Sequence, residues 1–313
     1  MKKEMGKIIG KLIHGYKLGN VVNINPITEG IINNNYTLYT DQNKFFIKEY
    51  SKRDNLKIEY IKKVEDFMIE NNIPAIKSII LDKENNIVIY PFIESNRTHN
   101  YNNKDYFLMG QMLGRIHKVS FQKEIPKEIK RFYFKNKEYK QNINKYLDII
   151  NKKNNKSEED ILYKEYLEKK IHYSKNFNFD FNIENNSIIH GDFHPGNILF
   201  DEQKTKIIAI CDWEKCEYAP REYDLAKSYL NLSFGSGEEN LDICLEIKKY
   251  LLEGYRSVLE ISDTEFENGI KIRIKDYLFT SYLEDKYLIN NDNRSSRFVK
   301  NWINILDFFC KNN

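Results

Sequence analysis

The chain has 313 residues, 41% hydrophobic and 14% aromatic, enough to bury a sizeable core in one large or two modest domains. Lys and Arg number 49 against 46 Asp and Glu, a net charge of +3 with both signs interspersed. That balance excludes the disordered class and offers no dense basic cluster for nucleic acid.

The opening MKKEMGKIIGKLIHGYKLG interrupts its apolar residues too often for a secretory leader. No later apolar run approaches the ~20 residues of a bilayer span. A cytoplasmic protein without membrane contact is expected, with Cys211, Cys216, Cys244 and Cys310 as reduced bystanders. Strands are predicted near Val21–Thr28, Tyr36–Thr40 and Phe45–Tyr50, separated by turns at Gly30–Asn35 and Asp41–Lys44. Leu56, Tyr60, Val64, Phe67 and Met68 recur at helical spacing between about Lys52 and Asn72. Two further strands, Ile76–Leu81 and Asn86–Phe92, flank a turn at Asp82–Asn85. A short hinge at Pro91–Ser95 then divides a unit of residues 1–94 from one of residues 95–313.

Asp105 reads as the N-cap of a helix striped by Leu108, Met112, Ile116 and Val119. A helical hairpin is predicted from Asn136 to Lys175, turning at Asn151–Ser157, within an insert of about 130–180. Helices are expected over Leu225–Leu232, Leu241–Leu259, Ile270–Leu288 and Phe298–Phe309.

Between them lies a hydrophobic island, SIIHGDFHPGNILF, then DEQKTK, then IIAICDWE. Its spacing, His190-x-Asp192-x-x-x-x-Asn197 with Asp212 closing an apolar strand fifteen residues later, is that of a phosphotransfer catalytic loop. A hydroxyl nucleophile needs a carboxylate to orient it and take its proton, the role read for Asp192. A magnesium ion on phosphate oxygens needs hard oxygen ligands, which Asn197 and Asp212 supply. His190 is read as architectural. The alternation of His190, Asp192 and His194 also suits zinc on an extended strand, but Gly191 and Pro195-Gly196 argue against a continuing strand.

The segments IIHGDFHPGNILF and CDWEKCEYAPREYDLA resemble the aminoglycoside phosphotransferase, choline kinase and homoserine kinase superfamily, as do GYKLGNVVNINPITEGIINNNYTLYT, FFIKEY and LGRIH. The resemblance spans about Gly15 to Tyr229. It implies an α+β, bilobal protein-kinase-like fold: an N-lobe antiparallel sheet with one helix and a mainly helical C-lobe. It further implies a phosphotransferase using ATP or GTP with Mg2+ on a small-molecule hydroxyl. Carried over, Asp192 is the base, Asn197 and Asp212 hold the metal, and Lys48 touches the α- and β-phosphates. A buried lysine needs a partner, and Glu59 and Glu65 on the following helix are both in reach by sequence, with Glu59 preferred. Gly30 with Asn33–Asn35 would cover phosphate, and adenine would meet the backbone near Phe92 and Ile93. Asp224 would brace the catalytic loop from a helix start.

Gly191 before Asp192, Trp213-Glu214 after Asp212, and only eleven residues between Asp212 and Asp224 argue against a regulated protein kinase. Glu217, Glu284 and Asp285 are candidates for an acceptor site; aminoglycoside, amino alcohol, homoserine and sugar all remain open, as does monomer or homodimer. The alternative is a kinase-fold structural protein of the spore-coat type that no longer binds nucleotide.

Overall fold

The computed structural model describes residues 2–27, 33–50, 55–96, 100–131, 140–177, 186–235 and 240–310. They gather into two compact units. One is Met1–His99 with Pro126–Ile129 and Gly196–Cys216; the other is Asn100–Ile125 with Lys130–Pro195 and Glu217–Asn313.

The first unit begins with α1 (Lys2–Gly15), then β1 (Val21–Ile27), β2 (Asn34–Thr40), β3 (Lys44–Glu49), α2 (Asn55–Glu70), β4 (Ile80–Asp82) and β5 (Ile87–Pro91). All strand pairs are antiparallel, in the order β1-β2-β3-β5-β4. Successive strand residues face opposite ways, and both faces are used. Phe45, Ile47, Ile87 and Ile89 join Ile9 and Ile13 of α1 in one cluster. Val88, Tyr90 and Tyr50 join Ile58 and Ile61 of α2 in another, with Phe46 packed against it. Lys48, between the α1-facing Ile47 and Glu49, therefore belongs to the α2 face.

Two features depart from the sequence reading. The amphipathic spacing of Ile8, Ile9, Leu12 and Ile13 makes a helix that packs on the sheet, an element absent from the sequence reading. The strand expected over Ile76–Leu81 shrinks to β4, because the backbone just before it is taken up elsewhere. Ala75 bridges Ile210, and the Ile210 amide donates to the Pro74 carbonyl.

The second unit is mainly helical. Its helices are α3 (Asn103–Gln122), α4 (Lys140–Asn151), α5 (Glu158–Asn176), α6 (Arg221–Phe234), α7 (Leu241–Arg256), α8 (Asp263–Phe279), the single turn α9 (Tyr282–Glu284) and α10 (Val299–Cys310). The cap of α3 is Asn102; Asp105 is its reciprocal partner in a capping box, three residues further in than expected of a cap. The predicted α4–α5 hairpin is present, with Ser157 capping α5 in the same way. The helix expected over Ile270–Leu288 is broken at Thr280. There the buried Lys170 of α5 donates to the Thr280 carbonyl, one of the groups the break exposes, and pairs with Glu284 at 2.6 Å. A five-residue π-helical stretch, Asp285–Ile289, follows.

A short antiparallel pair, β6 (Asn186–Ile189) and β9 (Glu217–Pro220), completes this unit. Between these two strands the chain runs into the first unit as the hairpin β7 (Ile198–Phe200) and β8 (Ile207–Ile210) and a 3₁₀ turn, Trp213–Lys215. No helix among the described residues is long and apolar enough to cross a membrane.

Helices α3 and α7 approach so closely that only glycine fits at the crossing. A Cβ on Gly110 would lie 2.0 Å from the Leu251 carbonyl oxygen, and one on Gly254 2.0 Å from that of Phe107. Gly254→Ala is expected to lower the urea midpoint by the equivalent of about 1–3 kcal/mol, the cost of overpacking a tight contact. An unchanged midpoint would show that the crossing has slack.

Candidate active site

The loop that carries Asp192 is held by side chains of its own unit. Strand β6 delivers His190, fully buried, and Gly191 follows with φ of 75°, a turn that ends the extended run. The Asp224 carboxylate, one turn into α6, accepts the backbone N–H of His190 at 2.9 Å and of Gly191 at 3.0 Å. It also meets His117 Nε2 at 3.3 Å, while His117 Nδ1 lies 2.8 Å from the Tyr255 hydroxyl. Burial alone would raise the Asp224 carboxyl; the His117 hydrogen bond and the neighbouring His190 and Lys227 hold it below its usual range. Burial lowers His117, so the ring is neutral, its Nε2–H donating to Asp224 and its Nδ1 accepting from Tyr255. The Asp192 amide donates to His190 Nδ1 at 3.2 Å. His190 thus serves the backbone of the turn, and with Gly191 leaving the strand the three alternating side chains do not form an extended ligand set. Among the described residues no group of three His, Cys, Asp or Glu side chains is arranged for a metal ion.

In the first unit three distant stretches meet. The Lys48 ammonium lies 2.8 Å from Asp212 Oδ1 and also pairs with Glu214, which is bound in turn by Lys57 at 2.8 Å and by the Asn33 side-chain amide. Desolvation works against the charge on Lys48, but Tyr50, Asp212 and Glu214 more than offset it and hold the ammonium well above the usual lysine range. Asp212 is a non-glycine residue with φ of 67°, a strained position that persists because its surroundings fix it. Trp213, fully buried, donates its indole N–H to the Ile210 carbonyl, and the Tyr60 hydroxyl of α2 donates to the Cys216 carbonyl. Asn197 sits across the same hairpin, its carbonyl accepting the Cys211 amide at 3.0 Å, next to Asp212. The two hard-oxygen side chains, an amide and a carboxylate, suit Mg2+ in chemistry.

Several sequence-predicted residues are placed otherwise than expected. Glu59 is exposed and paired with Lys83, so it is not the partner of Lys48. Glu65 is the buried acid of α2; it accepts the Tyr90 hydroxyl at 2.8 Å, and burial pushes it up to about 8, with that hydrogen bond opposing the rise. The actual partner, Glu214, was visible only as the departure Trp213-Glu214 and was not given this role. Gly30 lies outside the described residues. Asn34 turns its amide to Glu49, and Asn33 is spent on Glu214. The Phe92 amide donates to the Lys44 carbonyl and its ring lies under the Lys44 ammonium at 3.5 Å, whereas the Ile93 backbone has no partner among the described residues. Glu284 is fully buried and paired with Lys170, and the two line a small cavity with Tyr146 and Ser281; Asp285 accepts the Tyr146 hydroxyl at 2.5 Å and the Ser281 hydroxyl at 2.9 Å. Glu217 is half-buried on β9, opposite Ile189; burial and then Asp224 raise it to about 7, against the pull of Lys227 and Lys130.

A unit built on a five-stranded antiparallel sheet and a helical unit bearing the His190–Asp192 loop define the bilobal kinase-like class, and solved structures agree. A spectinomycin phosphotransferase, in complex with ADP and spectinomycin, matches 96% of this chain and 98% of its own at 19% identity, with a TM-score of 0.65. A choline kinase from Streptococcus pneumoniae matches 98% of this chain and 100% of its own at 18% identity, TM-score 0.63. An amicoumacin kinase in complex with AMP-PNP and Ca2+ matches 96% of each chain at 13% identity, TM-score 0.57. At such identities the likeness establishes the fold. No curated protein sequence matches. The profile of the phosphotransferase enzyme family, APH, covers residues 23–257, and the chain belongs to that family. It is a small-molecule kinase.

The buried acid of α2 gives a test of this part of the molecule. A carboxyl at about 8 when folded and 4.5 when unfolded carries no penalty below pH 4.5 and costs stability increasingly as pH rises from there to about 8. Glu65→Gln keeps the acceptor for Tyr90 and removes the charge. Its melting temperature should gain on wild type as pH rises from 5 to 8, by several degrees at roughly 2–4 °C per kcal/mol. A difference that does not change with pH would show that Glu65 titrates normally.

Proposed function

We propose that the enzyme transfers the γ-phosphoryl group of ATP, or GTP, to a hydroxyl of a small molecule such as an aminoglycoside, an amino alcohol or homoserine. The observation that carries this is the convergence in one unit of Lys48 and Asp212, with Asn197 on the neighbouring strand end. A lysine ammonium on a carboxylate, with a side-chain amide on the adjoining strand end, offers the kinds of donor that phosphates and their metal require.

In this reading the Ile93 backbone meets the base of the nucleotide, and Lys48 leaves Glu214 to bind the α- and β-phosphates. Asn197 and Asp212 would hold Mg2+, which when bound neutralises charge on the phosphate oxygens. Asp192 orients the acceptor hydroxyl. Its oxygen bonds to the γ-phosphorus, the bond from that phosphorus to the β–γ bridging oxygen breaks, the hydroxyl proton passes to the Asp192 carboxylate, and the nucleoside diphosphate leaves. Asp224 acts through the backbone, fixing His190 and Gly191 so that Asp192 keeps its direction. His117 is the residue whose role the sequence did not suggest beyond a helix motif; a histidine next to the apolar Ile116 of that helix was the available signal.

The test is a coupled ADP-release screen over aminoglycosides, choline, ethanolamine, homoserine, methylthioribose and macrolides, run beside melting curves with Mg-ATP. One acceptor class should turn over. Asp192→Asn should cut that turnover by about 10²–10⁴-fold and leave the nucleotide-induced rise in melting temperature in place, while Asp212→Ala should abolish the magnesium-dependent part of that rise. Full turnover in Asp192→Asn would remove Asp192 as the base. No stabilisation of the wild type by millimolar Mg-ATP would remove the nucleotide.

A further inference from the structure

Lys227 is buried on α6, one turn after Asp224, and nothing assigned so far uses it. Its ammonium lies 2.9 Å from Asp192 Oδ1 and donates to the Gly191 carbonyl. Residues three apart on a helix share a face, so Asp224 and Lys227 hold the two sides of one residue: Asp224 takes the Gly191 N–H and Lys227 its carbonyl oxygen. Gly191 stands in the left-handed region with φ of 75°, and the residue it launches is Asp192. A helix-borne anion and cation therefore fix both the entry to the turn and the carboxylate that leaves it.

A buried ammonium is costly unless paired, and at only 9% exposure Lys227 has its charge directed at the catalytic loop. Were its purpose to anchor α6 alone, a backbone carbonyl would suffice; contact with Asp192 Oδ1 ties the lysine to the direction of one carboxylate. Phosphoryl transfer through a loose transition state asks more for orientation and electrostatic stabilisation than for basicity. A cation paired with the carboxylate restricts its rotation and so serves that requirement.

We propose that Lys227 is a positioning residue for the base, fixing the direction of the Asp192 carboxylate through a clamp that α6 closes on Gly191. This rests on the assignment of Asp192 made above. The same ammonium also pulls the half-buried Glu217 down against the rise that burial gives it.

The experiment compares wild type with Lys227→Met, which keeps the length and burial of the side chain without its charge, and Lys227→Ala, assayed with and without added methylammonium or ethylammonium. On an acceptor that wild type phosphorylates, kcat of both variants should fall by about 10²-fold, the cost of a misdirected catalytic group. The KM for nucleotide should stay within about threefold, as expected when only transition-state stabilisation is lost. The small ammonium ions should restore part of the kcat of Lys227→Ala and none of that of Lys227→Met. If wild type is active and Lys227→Met keeps kcat within about twofold, or if the loss lies in nucleotide KM, the inference is overturned and the phosphotransferase reading stands. If neither variant folds by circular dichroism, Lys227 is a structural lysine and the inference is overturned. A wild type that phosphorylates no acceptor overturns the parent reading, a failure seen before any variant is made.

Discussion

Asp224 is a carboxylate with no exposure to water, and removing an ion of that size from solvent costs several kcal/mol unless its lone pairs are filled. Here they are filled by two consecutive amides of the His190–Asp192 loop and by a neutral imidazole that is itself held by a tyrosine from α7. The desolvation cost is therefore recovered only when β6, α3, α6 and α7 are all in place. That makes the loop's conformation a condition of folding for this unit, and it explains why a glycine with positive φ, unfavourable in a strand, is tolerated just before Asp192. The same logic explains the glycines at the α3–α7 crossing. His117 on α3 and Tyr255 on α7 can reach one another because Gly110 and Gly254 let the two backbones close up.

Much of this was legible in the sequence, for a definite reason. Period-two and period-3.6 patterns report burial directly, so β1, β2, β3, β5 and the helices after Asn100 could be placed from apolar spacing, and the loop from residue types at fixed offsets. What was not legible depends on geometry across long separations. Glu59 and Glu65 lie six residues apart on α2 and are equally good acids on paper; only the packing of Tyr90 against α2 buries one of them and leaves the other to Lys83. Glu284 looked like part of a continuous helical face, but a buried lysine on α5 breaks that helix and claims the carboxylate. A polar residue in an apolar pattern is ambiguous between a ligand contact and a core pair, and the partner's position decides it. Lys170 and Lys227 are both such cases.

The charges around Lys48 have a further consequence. Two ammoniums, Lys48 and Lys57, meet two carboxylates, Asp212 and Glu214, so the cluster is neutral as it stands. In the phosphotransferase reading, a nucleotide brings several negative charges and its metal brings two positive ones, and the pairings would have to be redistributed. Glu214 has the means to yield Lys48 without being stranded, because Lys57 and Asn33 remain on it. The strain at Asp212, on the order of 1–3 kcal/mol for a non-glycine residue at positive φ, is consistent with a residue whose direction matters more than its comfort. The buried indole of Trp213 and the Tyr60 hydroxyl on the Cys216 carbonyl lock the turn that follows. A side chain of Trp213's size has no alternative site to occupy at low cost, so this turn is built to hold one arrangement of its backbone.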